Sequence, residues 1–259
     1  MGEAVKDIAL ESERRSRVGH TVDMPVARTA RDRARDELTR EIKAAARGRL
    51  AQDGAAALSV RAVARDLGLA PSALYRYFAN RDALLTALII EAYDSLADHV
   101  EETLSSLPPE EFSARWRASW GAVRAWAHEH PHEYALIYGF PVPGYAAPSD
   151  TIPSGARVPL LLLRLVRDAR AAGALADPSA CPAVPHDVAA QADHLAAATD
   201  LEDIPRPILL RAVIAWTQLF GMVSFELFGQ LTGAFTDNTP LFTFAADLMA
   251  DTVGFRRQP

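Results

Sequence analysis

Cysteine is nearly missing from this chain: Cys181 stands alone in 259 residues, so no disulfide can close within it, and the composition suits a reducing cytoplasm. The residues around it, DPSACPAVPHD, hold no Lys or Arg to stabilise a thiolate, which speaks against a redox sensor. An apolar N-terminal core of signal-peptide length is also lacking, and Lys6 occupies the place where a myristoylated chain prefers Ser or Thr. The longest apolar stretch, 208–231, is interrupted by Arg211 and Glu226 and carries Thr217, Gln218 and Ser224, so it reads as a buried helix and not as a membrane span. Neither a G-x-S-x-G elbow nor a phosphate-cradling glycine loop occurs, repeats are missing, and nothing asks for a cofactor. His128, Glu129 and His132 do spell H-E-x-x-H, but zinc chemistry needs both histidines on one helical face and Pro131 blocks a continuous helix. The expectation there is the polar end of one helix and the cap of the next, with no metal and no catalytic residue.

What the chain does have is apolar content and segregated charge. At 49% apolar residues a packed core is well supplied. The net charge of −6 would by itself argue against nucleic acid. Split after Arg81, however, the first part carries +5 and the remainder −11. A basic segment is where phosphate neutralisation would take place, and the acidity belongs to another module.

Inside the basic part, 58–85 reads LSVRAVARDLGLAPSALYRYFANRDALL. Val60, Val63, Ala64 and Leu67 repeat with the spacing of a short amphipathic helix, and Ser59 precedes them as an N-cap whose side chain accepts a free amide. Gly68 supplies a turn that takes positive φ, Leu69 plugs the angle, and Pro71 opens a second helix running to about Phe78. Two short helices joined in this way are a DNA-reading device. By residue type, Ser59, Arg61, Tyr77 and Arg81 suit phosphate contacts, whereas Pro71, Ser72, Ala73, Tyr75 and Arg76 occupy the front of the second helix, where side chains reach base edges. Arg76 is suited to pairing with guanine through two hydrogen bonds. Leu74 and Phe78 belong to the core.

The same run resembles the tetracycline-repressor family of bacterial transcriptional regulators, through Val63, Ala64, Leu67, Gly68, Leu69, then Leu74, Tyr75, Tyr77, Phe78, Arg81 and Leu84. The match spans about 37–88. Ala70 stands where that family usually has a Ser cap, and Ala73 where Thr is common. The resemblance implies an all-α chain with an N-terminal three-helix DNA-binding domain and a helical ligand-binding and dimerisation domain, about nine or ten helices in total. It further implies a repressor, released by a small apolar or amphipathic effector, that binds double-stranded DNA at a near-palindromic operator. The last two long helices of each subunit would pair in a four-helix bundle. The alternative is a helical ligand- or protein-binding module that does not read DNA, with a metal-dependent hydrolase a distant third.

Along the chain, residues 1–30 read as a mobile arm with scattered arginines, 31–82 as the DNA-binding domain and 83–259 as the second domain. Leu38, Ile42, Ala46 and Leu50 mark a first helix ended by Gly54. Asn80 caps a long fourth helix with Leu85, Ile89, Ala92, Leu96 and Val100 as its stripe; in proteins of the resembled family such a helix carries movement from ligand to DNA-binding head. Phe112, Trp116, Trp120 and Val123 form another face. Aromatic residues in this module are ordinary core and also what an apolar pocket is made from, so Trp116, Trp120, Tyr134, Tyr138, Phe140, Trp216 and Phe220 are the effector-binding candidates. Pro131 starts a short helix, and a proline-rich loop over 139–155 has Phe140 and Tyr145 placed to cover a pocket mouth. Further helices are expected from Val158 to Ala172, Val188 to Ala198, Ile208 to Leu231, and Pro240 to Phe255 with Thr239 as cap. The last two are apolar on more than one face, which a partner subunit would cover.

Overall fold

Thr29 begins the first helix of the computed structural model, which describes residues 29–176 and 183–256. The Thr29 hydroxyl accepts the Asp32 amide at 3.1 Å while the Asp32 carboxylate accepts the Thr29 amide at 3.2 Å, a reciprocal capping box. Helix α1 (Ala30–Asp53) then runs to Gly54, whose φ of 77° leaves the helical region. Ile42, Ala46 and Leu50 are its buried residues, so it starts two turns before the apolar stripe does. Those extra turns, carrying Arg31, Arg33 and Arg35, are exposed and held by the cap instead of by burial. Of the arm expected over residues 1–30, residues 1–28 lie outside the described residues, as does Cys181, and Thr29 and Ala30 form the cap and start of α1.

Helices α2 (Val60–Asp66) and α3 (Pro71–Leu74) follow, joined through Gly68 at φ 66° and the Leu69 amide, which donates to the Ala64 carbonyl at 2.9 Å. Ser59 occupies the N-cap of α2, but its hydroxyl caps nothing; its backbone carbonyl accepts the Val63 amide instead, and buried Leu58 anchors the approach. Helix α3 is shorter than the apolar pattern suggested, passing after Leu74 into turns in which the Tyr77 and Phe78 amides both donate to the Leu74 carbonyl. Helix α4 (Arg81–Ser105) is capped by Asn80, whose side-chain oxygen accepts the Ala83 amide at 2.8 Å. All five residues of its expected stripe are buried.

Helices α5 (Phe112–Glu129) and α6 (Pro131–Tyr138) break at Pro131. His128 ends α5 with Nε2 3.2 Å from the Glu226 carboxylate, and His130 precedes α6 with Nδ1 3.0 Å from Glu133. Helix α7 (Ile152–Ala171) begins six residues before Val158 and passes through Pro159. Pro159 has no N–H to give to the carbonyl of Gly155, four residues before it. Then come α8 (His186–Thr199), α9 (Arg206–Leu227) and α10 (Thr239–Val253). Asn238, not Thr239, holds the N-cap of α10, and the Asp237 carboxylate accepts the Thr239 amide at 2.8 Å. Ten α-helices and two 3-10 turns account for the regular structure among the described residues, with only isolated bridges in place of strands.

Contacts divide the described residues into two compact units. One holds the residues up to Tyr93 together with His130–Thr151; the other holds Asp94–Glu129 and the residues from Ile152 onward. In the first, Ile42, Ala46, Val63, Ala64, Leu74, Phe78 and Leu84 make the core, and Leu136, Val142 and Tyr145 pack against it. Thus α6 and the loop after it, distant in sequence, complete the core of the helix-turn-helix. Arg47 lies 3.8 Å from Glu133, and the Tyr145 and Thr86 hydroxyls share a 2.9 Å hydrogen bond.

In the second unit, α5, α7, α8, α9 and α10 pack on one another. Both charges that interrupt the apolar α9 find partners: Arg211 donates to the Thr252 carbonyl at 2.9 Å, and Glu226 receives Arg124 through two bonds of 2.6 and 2.8 Å. The Arg124 guanidinium holds the Glu226 carboxyl below its ordinary pKa against the opposing effect of burial. At the chain's end, Gly254 takes φ 111° to let the Ala176 amide reach its carbonyl at 2.8 Å. A Cβ there would stand 2.7 Å from the Ala176 carbonyl oxygen in addition to being strained by that φ. Gly254→Ala is therefore expected to lower stability by about 2–3 kcal/mol. Thermal melting measures it, and a melting point equal to that of the parent protein would contradict the close approach.

Candidate nucleic-acid interface

Helix α3 places its residues by a simple alternation of burial. Leu74 is fully buried and Phe78 nearly so, while Pro71, Ser72, Tyr75 and Arg76 are exposed, Tyr75 to 43%. Ala73 and Tyr77 are half-buried, and Arg61 projects from α2 fully exposed. Neither Arg61 nor Arg76 has an ion-pair partner among the described residues, so both cations are available. Arg49, by contrast, grips Asp66 through two 2.6 Å bonds and fixes α1 against α2. Four of the five base-edge candidates, Pro71, Ser72, Tyr75 and Arg76, are thus exposed, and Ala73 is half-buried.

Two members of the expected set are engaged in other ways. The Tyr77 ring lies beneath the Arg35 guanidinium, 5.7 Å from its carbon, which brings the N-terminal turns of α1 beside the turns that follow α3. Arg35 was counted with the arginines of the N-terminal arm and not with the helix-turn-helix candidates; the Thr29-x-x-Asp32 capping signature was the signal that would have extended the helix to it. Arg81 reaches back to the carbonyls of Ala55, Ala56 and Leu58. Ser59 is half-buried at the mouth of α2.

The seven effector candidates fall into separate groups. Trp116 and Trp120, fully buried, lie in the second unit with ring centroids 6.0 Å apart, followed by Phe255 at 5.2 Å from Trp116 and Phe242 at 5.8 Å from Trp120. Trp116 donates its indole N–H to the Ala246 carbonyl at 3.1 Å. The indole nitrogens of Trp120 and Trp216 are buried with no hydrogen-bond partner among the described residues. Phe220 is buried on α9. Tyr134 and Tyr138 lie in the first unit instead, with ring centroids 5.1 Å apart, and Tyr138 meets Tyr93 edge-on at 5.9 Å. Burial pushes the Tyr138 phenol well above its ordinary pKa. Phe140 is 87% exposed, while Tyr145 is tied down by Thr86.

Helices α9 and α10 bury one side and leave aromatic and aliphatic groups on the other. Ile214 and Phe225 on α9 and Phe228 at its C-cap, with Phe244 (64% exposed) and Leu248 on the adjacent α10, stand on the surface of the subunit. Gln218 and Gly221 fill the helical spacing between Ile214 and Phe225. Helix α9 is long and apolar enough to cross a membrane by length and composition, as a core helix can also be.

Residues 42–88 match the family model described as bacterial regulatory proteins, tetR family, and residues 116–249 match the tetracyclin repressor-like C-terminal domain. An HTH-type transcriptional regulator of Mycobacterium tuberculosis is 36% identical over 205 residues, covering 76% of this chain and 83% of its own length. The crystal structure of regulatory protein SCO4313 is 36% identical with a TM-score of 0.68, over 86% of this chain and all of that one. A protein of unknown function from Rhodococcus sp. RHA1 is similar too, 26% identical with a TM-score of 0.61, over 88% and 97% of the two chains.

Proposed function

The chain belongs to the tetracycline-repressor family of bacterial DNA-binding transcriptional regulators, and from that premise we propose that it is a cytoplasmic, non-enzymatic repressor released by a small amphipathic molecule. The observation that carries the reading is α3, which buries Leu74 and keeps Ser72, Tyr75 and Arg76 outside. Two subunits would set their recognition helices in successive major grooves of a near-palindromic operator, about 34 Å apart. Pairing through α9 and α10 is supported by their exposed apolar side chains, which a partner copy would cover.

For the effector, Trp120, Trp216 and Phe220 of the second unit are the candidates we favour. A buried indole N–H without an acceptor is a costly group to leave alone. Either donor would suit an acceptor oxygen on a molecule with a hydrophobic body. Release requires that this molecule bind the DNA-free state more tightly, since equal affinity for both states shifts nothing.

The test is a gel shift on the DNA upstream of the coding sequence, with small molecules extracted from the purified protein added back. Retardation that survives random competitor and is reversed by the extract is the expected result. Trp120→Phe should raise the extract needed for release about fivefold, the worth of one hydrogen bond. A protein that retards no duplex over random competitor defeats the reading.

A further inference from the structure

Arg81 opens α4 directly after the recognition helix and its Asn80 cap, yet its side chain runs back to the segment that precedes α2. Nε donates to the Leu58 carbonyl at 3.1 Å, and Nη2 to those of Ala55 and Ala56 at 3.0 and 3.2 Å. The remaining nitrogen, Nη1, faces Asp82 at 3.6 Å. The planar guanidinium fork holds these carbonyls in fixed directions, which a single ammonium cannot do.

Besides Arg81, the segment is held by buried Leu58 and by the backbone bonds of its own turn. Ala55, Ala56 and Ala57 form a 3-10 turn with no buried residue, and the Ser59 hydroxyl makes no cap bond. Helix α3 is no better secured from within: it has four residues and no side-chain cap at Ala70. A helix of one turn has too few internal hydrogen bonds to define its own direction, so buried Leu74 and the pieces of chain at either end must do so. Gly68 and Leu69 bracket it before, and Asn80 and Arg81 after.

We propose that Arg81 is a positioning residue of the DNA-binding site. It ties the entrance of α2 to the exit of α3, and it governs affinity through the angle at which α3 is presented and not through a phosphate contact. Three of the five guanidinium N–H groups are spent on main-chain carbonyls, and Nη1 lies 3.6 Å from Asp82, so most of the fork is engaged inside the subunit.

The proposal rests on α3 being the DNA-facing helix, and salt dependence separates the two roles of the cation. Full-length protein, R81Q and R81K are titrated with a labelled duplex that the parent protein selects from random DNA, over a series of KCl concentrations. A phosphate contact predicts that R81Q makes the slope of log Kobs against log[KCl] shallower by about 0.9, and that R81K retains slope and affinity. Positioning predicts that both variants bind roughly tenfold or more weakly at every salt concentration with the slope unchanged, a loss equivalent to one or two charge-assisted hydrogen bonds. Without DNA, the Ala57, Leu58 and Val63 amides should exchange faster in R81K than in the parent, with those of α9 unaltered. R81K binding like the parent, the shallower slope in R81Q, or unchanged exchange at those amides overturns the proposal. R81K carries the test if R81Q does not fold. A parent protein that selects no sequence overturns the DNA-facing assignment itself, recognisable because parent and variants then fail alike.

Discussion

Replacing Tyr75 and Arg76 together by alanine is expected to lower operator affinity roughly a hundredfold, with thermal unfolding unmoved; a bidentate arginine–guanine pair alone discriminates by about 1–3 kcal/mol. Both side chains stand outside the core that Leu74 and Phe78 anchor, so their removal opens no cavity. Arg76 has no ion-pair partner among the described residues to lose, and its fork is free for two hydrogen bonds to one base. Arg76→Ala alone should also relax the preferred sequence at one position of each half-site, a change that selection from random DNA reads directly. Competition titration against the parent protein measures the double variant. Affinity within about threefold of the parent, less than 1 kcal/mol, would remove α3 from the base-reading role.

A second large effect is expected from Phe225→Glu combined with Phe244→Glu. In the subunit these rings are 55% and 64% exposed, so a carboxylate at either place meets water and the fold survives. Between two copies packed through α9 and α10, the same carboxylates would be buried without partners, at several kcal/mol each. Sedimentation should show the parent as a dimer and the double variant as a monomer at micromolar concentration. Operator affinity should fall by about a hundredfold or more, because the second half-site is no longer reached intramolecularly. Phe140→Glu, at a residue 87% exposed in the other unit, serves as the control and should leave both measurements alone. A double variant that still sediments as a dimer would rule out this face as the interface.

The features legible in the sequence were those whose cause is local. Gly68 at positive φ, Asn80 as a cap and the stripe of α4 each follow from residues within a turn or two of one another. The start of α1 was missed because the expectation followed apolar spacing, and that spacing begins only where the helix meets a core; the Thr29–Asp32 box needs no core. Thr239 and Ser59 both look like caps by type, but the free amides were met by Asp237 in the first case and by nothing from the side chain in the second. Arg81 was illegible for a different reason: its acceptors are main-chain carbonyls, which no residue type announces. Of the aromatic candidates Trp116, Trp120, Tyr134 and Phe220 are buried while Phe140 is exposed, and chain order cannot tell that Tyr134 and Trp116 belong to different units.

The return of His130–Thr151 to the helix-turn-helix core bears on how this family's parts are inherited and exchanged. A recombination event with one crossover after Tyr93 would deliver a head without its own Leu136, Val142 and Tyr145, and the recipient's loop would have to fit a core it never evolved beside. Two crossovers are needed to move the head whole. By the same reasoning, a spontaneous change at Tyr145 that alters repression would look on a linear map like an effector-domain allele, although the hydroxyl it removes is bonded to Thr86 of the head.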